Sequence, residues 1–154
     1  NRIPLNIFAL PGSYSPISAF QKASAFCDVL EKIYKNVGPV QRGRLRGAIT
    51  DLYRELDGNP PTLREVYDRY CEGGKLDSVS SILQTFVDGE VFSDDREELL
   101  SFEQLIENRV LVVALNEFGP DQDSKNALVA LFLNLYYDFM LKSQKWSFEG
   151  TDPQ

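Results

Sequence analysis

Val110-Leu111-Val112-Val113-Ala114-Leu115 is an uninterrupted apolar run rich in β-branched residues, and a short polar loop later residues 124–143 stay apolar on nearly every side. The run has the composition of a strand buried on both faces, as at the centre of a parallel sheet. Residues 124–143 read as a helix that must be covered on several sides. A buried parallel strand needs strand neighbours, yet only two weak candidates accompany it, residues 3–9 and 90–92. The missing strands are expected outside the 154 residues, and the start at Asn1, directly in an apolar stretch, fits a piece of a larger protein.

Upstream the periodicity is helical. The opening Ile3-Pro4-Leu5-Asn6-Ile7-Phe8-Ala9-Leu10-Pro11 contains two prolines, which restricts it to an extended edge segment or a covered loop. Phe20, Ala23, Cys27, Leu30 and Tyr34 then recur at spacings of three and four and predict an amphipathic helix over 16–36, stopped by Gly38-Pro39. Leu45, Ile49, Leu52, Tyr53 and Leu56 form a second stripe, stopped by Asp57-Gly58-Asn59-Pro60-Pro61. Thr62-Leu63-Arg64-Glu65 is a capping-box pattern that starts a short third helix to about Cys71, closed by Gly73-Gly74. Residues 76–87 predict a fourth, with Val79, Ile82, Leu83 and Phe86 inward, and residues 102–107 a single helical turn. The resulting division is a lead-in over 1–15, a helical subdomain over 16–93, a β/α unit over 94–145 and a tail over 146–154.

Composition narrows the chemistry. With 43% apolar residues, 154 positions suffice for one packed core. There is no histidine, which removes the usual zinc ligand and the commonest general base. Cys27 and Cys71 form no CxxC pair and fit reduced thiols in a cytoplasmic protein. No apolar run reaches the ~20 residues that cross a bilayer. The net charge of −7 argues against binding nucleic acid over the whole surface. That charge is divided unevenly, +3 over residues 1–75 and −10 over 76–154, so the halves face different partners or each other.

Three constellations come closest to a site. Gly74-Lys75 lacks the rest of a phosphate loop, since Arg69 and Leu76 stand where the pattern needs glycine and Ser or Thr. The run ending Ala114-Leu115-Asn116-Glu117 has the shape of a Walker B strand, but Asn116 offers magnesium only a neutral carbonyl. Asn116, Glu117 and Asp121 remain the polar candidates beyond the strand, where ligands of open parallel sheets bind, and Asp121, Asp123 and Ser124 are expected to cap the next helix. Arg42-Gly43-Arg44-Leu45-Arg46-Gly47 concentrates three guanidinium groups in six residues. As a mobile loop, Arg42, Arg44 and Arg46 reach phosphates of nucleotide or DNA, or a neighbouring subunit; as a solvated helix start, they pair with the acidic second half, for which Asp94-Asp95-Arg96-Glu97-Glu98 is a candidate. The tyrosines and phenylalanines fall mostly on apolar stripes and read as core, and Asn134, Asp138 and Lys142 form the last helix's only polar stripe.

Arg2-Ile3-Pro4-Leu5-Asn6, the segment from Asn108 to Asn116 and the segment from Lys125 to Tyr137 follow the order found in P-loop ATPases of the HerA/FtsK type. The chain resembles that family, closest to the large ATPase of the phosphorothioation-dependent DNA restriction system. The resemblance implies a helical insertion plus one β/α unit, with Walker A before Asn1 and Walker B after Gln154. It implies no catalytic residue, metal or cofactor in this chain, ATP and magnesium being held by the parent protein. Implied partners are other segments of the parent chain, further copies or restriction-complex subunits, and DNA through the parent, with no membrane. The family's strand often ends in an acidic residue where Ala114 or Asn116 stands here.

The expected fold is therefore α+β and mainly α: four amphipathic helices, a buried strand and a long apolar helix. The expected function is a non-catalytic, cytoplasmic part of a DNA-translocating or restriction ATPase that serves subunit or partner contacts. The alternative is a free-standing helical adaptor that binds a protein. A complete small enzyme is disfavoured because no nucleophile and base can be named.

Overall fold

The computed structural model describes residues 2–74, 76–107, 112, 115–118 and 121–150. Within them the chain is mainly helical: α1 Pro16–Ile33, α2 Pro39–Glu55, α3 Leu63–Tyr70, α4 Ser78–Asp88, the short α5 Phe102–Ile106 and the long α6 Gln122–Gly150, with a 3-10 turn over Leu115–Phe118. α1 packs against α2 and α6, α3 joins α2 to α4, and α5 lies on α6.

Each start has a local cause. Ser15 Oγ accepts the Ser18 N–H at 3.0 Å, Ser18 Oγ accepts the Ser15 N–H at 2.8 Å, and Pro16 occupies the first helical position. The Thr62–Glu65 box forms as the sequence predicts, with the Thr62 N–H on the Glu65 carboxylate at 2.9 Å and the Glu65 N–H on Thr62 Oγ1 at 3.2 Å. α2 starts at Pro39, where the Gly38 N–H donates to the Gln41 side chain at 2.7 Å. Its early start places Arg42, Arg44 and Arg46 inside a helix and not in a mobile loop. After α2, Gly58 has φ +86°, and a Cβ there would meet the Tyr14 ring at 2.7 Å, so the turn requires glycine.

The N-terminal segment is extended over Ile3–Leu5, turns at Ile7 and Phe8, and is exposed from Pro11 to Tyr14. Its residues bridge in parallel to the two stretches beyond α4, Ile3 to Phe92 and Leu5 to Leu100. The Ile3 N–H donates to the Val91 carbonyl at 2.8 Å and the Ser93 N–H to the Ile3 carbonyl at 3.0 Å; Leu100 and Asn6 repeat the exchange around Leu5. Pro4, which has no N–H, enters only as an acceptor, from Leu100 at 2.8 Å. Leu5 and Phe8 are buried, Phe8 packs edge-on to Phe26 at 5.1 Å, and the Tyr53 hydroxyl of α2 donates to the Phe8 carbonyl. Around them Leu30, Leu45, Ile49, Val66, Val79 and Leu83 close one core.

Two expectations need correction. No strand occurs among the described residues, only the two isolated bridges. Of the expected buried strand, Val112 is 82% exposed and Leu115 begins the 3-10 turn, while Val110, Leu111, Val113 and Ala114 lie outside the described residues. A strand is stabilised by neighbours that complete its backbone ladder, and the weak strand candidates here pair with each other instead. The second correction concerns α6. The helix forms, but its described side chains, which end at Leu141, are covered on one side: Ala127, Leu128, Leu131 and Leu135 are buried, whereas Val129, Leu133, Tyr136, Tyr137, Met140 and Leu141 are exposed.

Part of the charge asymmetry is met by contacts between the halves. Arg64 reaches Asp94 at 2.9 Å, Arg44 reaches Asp77 at 3.0 Å and Lys22 reaches Asp138 at 3.2 Å; Arg2 pairs with Glu90, and Arg96 with Glu65 in the opposite sense. The acidic stretch after residue 93 thus meets Arg2 and Arg64, and not the arginines of α2.

Candidate functional site

Arg42, Arg44 and Arg46 of α2 are held by the fold in three different ways. The Arg42 guanidinium donates to Asp28 at 2.7 Å and Glu31 at 2.8 Å on α1. The Asp28 hydrogen bond raises the Arg42 pKa and outweighs its partial desolvation. Arg44 donates to Asp77 at 3.0 Å and the Tyr70 carbonyl at 3.1 Å, and lies over the Tyr70 ring at 4.4 Å. Arg46 lies over the Phe20 ring at 4.8 Å. Arg42 therefore pairs within the basic half and Arg44 with the acidic half.

The polar candidates beyond the run are separated in role. Asn116 is exposed on the 3-10 turn that also contains Glu117. Asp121 caps α6: its carboxylate accepts the Ser124 hydroxyl at 2.6 Å and the N–H groups of Asp123 and Ser124 at 3.2 and 3.4 Å. The Ser124 hydrogen bond, the largest influence, holds the Asp121 carboxyl below the ordinary carboxylate range. Ser124 is also within 3.4 Å of the Tyr34 hydroxyl, which ties the start of α6 to the end of α1. These are structural contacts.

A second place joins a buried charge to open space. Lys22 of α1 is 92% buried and its ammonium donates to Asp138 of α6, whose side chain is 38% exposed. Burial lowers the Lys22 pKa, and Asp138 partly restores it. A cavity of about 130 Å³ opens beside the pair, lined also by Ser101, Phe102, Glu103 and Phe139. Phe102 also lines a groove of about 460 Å³, together with Ile106, Leu115, Val129, Leu133 and Tyr136. Phe102 packs edge-on to both Tyr136 and Phe139, each at 6.2 Å, and lines both spaces. Sequence reasoning placed Asp138 on the polar stripe of the last helix but passed over Lys22. Its visible sign is a lysine between Ala19, Ala23 and Phe26 on the inward stripe of α1.

Among the described residues no group of acidic or thiol side chains is placed to hold a metal ion, and no helix is long and apolar enough to cross a membrane. Cys27 is buried with its thiol pushed up to about 11 by burial, the opposite of nucleophile activation. No protein-family model and no curated protein matches the chain.

Proposed function

We propose that the chain is a non-catalytic helical unit that serves subunit or partner contacts, and that it does so as part of a DNA-translocating or restriction ATPase of the HerA/FtsK type. The supporting observation is the outer face of α6. Leu133 and Tyr137 are each 62% exposed, and with Val129, Tyr136, Met140 and Leu141 they continue the apolar groove beside Phe102. A contiguous apolar face beside a groove marks a contact surface, because leaving it in water forgoes about 25 cal/mol per Å². The order of the Arg2–Asn6, Asn108–Asn116 and Lys125–Tyr137 segments supports the ATPase as the parent, which would supply ATP, magnesium and DNA contacts.

Changing Leu133 and Tyr137 together to glutamate in the parent protein tests the reading. Light scattering should show loss of subunit or complex assembly, while the 154-residue chain with both changes unfolds at the wild-type temperature. Intact assembly overturns the contact role. Assembly lost in a parent without a GxxxxGK[ST] segment leaves a free-standing adaptor and removes the ATPase. Magnesium-dependent micromolar binding of an ATP analogue by the isolated chain would contradict the non-catalytic assignment.

A further inference from the structure

We infer that the Lys22 amine binds a small apolar aldehyde as an imine, in the cavity where the N-terminal segment, α1, α5 and α6 meet; this is independent of the contact role above. Lys22 is 8% exposed, and among the described residues Asp138 is the one hydrogen-bond acceptor of its ammonium, at 3.2 Å. An ammonium has three N–H donors, so a single acceptor leaves its burial only partly compensated. A protonated imine has one N–H and keeps the positive charge, and Asp138 alone satisfies it. Acylation would remove that charge and a carbamate would reverse it, each opposite the Asp138 carboxylate. The cavity holds about 130 Å³ and is lined beside the amine by Phe102, Leu135 and Phe139. An apolar space of ~150 Å³ accepts benzene, so the occupant is a short, uncharged aldehyde.

The step balances without any redox partner. The ammonium passes one proton to Asp138, a transfer that burial favours by lowering the Lys22 pKa. The freed lone pair forms the C–N bond, the carbonyl pair moves to oxygen, and a second N–H proton shifts to that oxygen. Asp138 returns its proton to the new hydroxyl, which leaves as water while the nitrogen lone pair forms the C=N bond. One ammonium and one aldehyde become one protonated imine and one water.

The probe is butanal, added to the 154-residue chain near neutral pH with cyanoborohydride, which reduces an imine to a stable secondary amine. Peptide mass spectrometry then reads the alkylation of each lysine against time. Lys22 should be alkylated at least ~10-fold faster than Lys32 and Lys35, which are exposed on and beyond the end of α1. In urea strong enough to unfold the chain, the three lysines should react at equal rates. 2-Naphthaldehyde is too large for the cavity, so with the folded chain it should label Lys32 and Lys35 and spare Lys22. Alkylation of Lys22 no faster than that of the exposed lysines, a preference for Lys22 that persists in urea, or labelling of Lys22 by naphthaldehyde as fast as by butanal would each overturn the inference.

Discussion

Arg44 on α2 and Asp77, the cap of α4, meet at 3.0 Å across 33 positions of sequence. The same carboxylate accepts the Tyr70 hydroxyl at 2.7 Å and the N–H groups of Val79 and Ser80 at 3.0 and 3.1 Å. One side chain thus joins α2, α3 and α4.

Burial pushes the Asp77 carboxyl up, but the hydrogen bonds from Tyr70 and Ser80 and the charge of Arg44 outweigh it and hold the group below its ordinary value. A depressed folded pKa gives stability that is present above the unfolded value and lost as pH falls through the folded one. Asp77→Ala should cost about 1–2 kcal/mol at neutral pH through the lost cap alone. Urea unfolding should show the gap between the two proteins narrowing in acid; a gap independent of pH would contradict the assignment.

The one-sided cover of α6 separates two neighbouring leucines. Leu131 is 6% exposed and Leu133 62%. Leu131→Asp buries a carboxylate in the core and should cost several kcal/mol, enough to unfold a domain of ordinary stability. Leu133→Glu should stay within about 0.5 kcal/mol of wild type. Thermal unfolding followed by circular dichroism reads both, and equal effects would show a helix covered all round.

Lys22 shifts in the same direction as Asp77, but at the alkaline end and with burial as the cause that prevails. Burial lowers its pKa from 10.5, so on raising pH the folded chain releases this proton before the unfolded chain does, and stability rises through that window. Cys27, raised from 9.0 to about 11, acts against this, since the unfolded thiol ionises first. Subtracting Lys22→Met from wild type cancels the thiol. Chemical unfolding between neutral pH and 10.5 should show wild type gaining on the variant, and a constant difference would contradict the burial of the ammonium.

Much of this was legible in the sequence because it is local. Ser15-Pro16 and Thr62–Glu65 announce helix starts through bonds within four residues, and the stripes of Leu45, Ile49 and Tyr53 or of Val79, Leu83 and Phe86 are core in the fold. What needed tertiary information was misjudged. The apolar character of α6 records that it avoids water, not what covers it, so one-sided burial was invisible. Arg42 and Arg44 were legible as a basic cluster, but their partners Asp28, Glu31 and Asp77 lie 11 to 33 positions away. The Lys22–Asp138 cleft joins positions 116 apart, a distance no local pattern reports.

Among the α2 arginines, Arg46 is the one whose described interaction is with a ring and not a carboxylate. Arg42→Gln and Arg44→Gln should each lower the thermal midpoint of the isolated chain, and Arg46→Gln should not. If Arg46 touches a DNA phosphate in the parent, its change should flatten the log–log salt dependence of DNA affinity by about one unit. An unchanged slope assigns Arg46 to covering Phe20 alone.

Hydroxyl-radical footprinting of Val129, Leu133, Tyr136, Tyr137 and Met140 tests most directly the role of the outer face of α6 as a contact surface. These side chains should be labelled readily in the isolated chain and protected in the assembled parent, with Leu131 protected in both. Equal labelling of Leu133 and Tyr137 in the two states would contradict it.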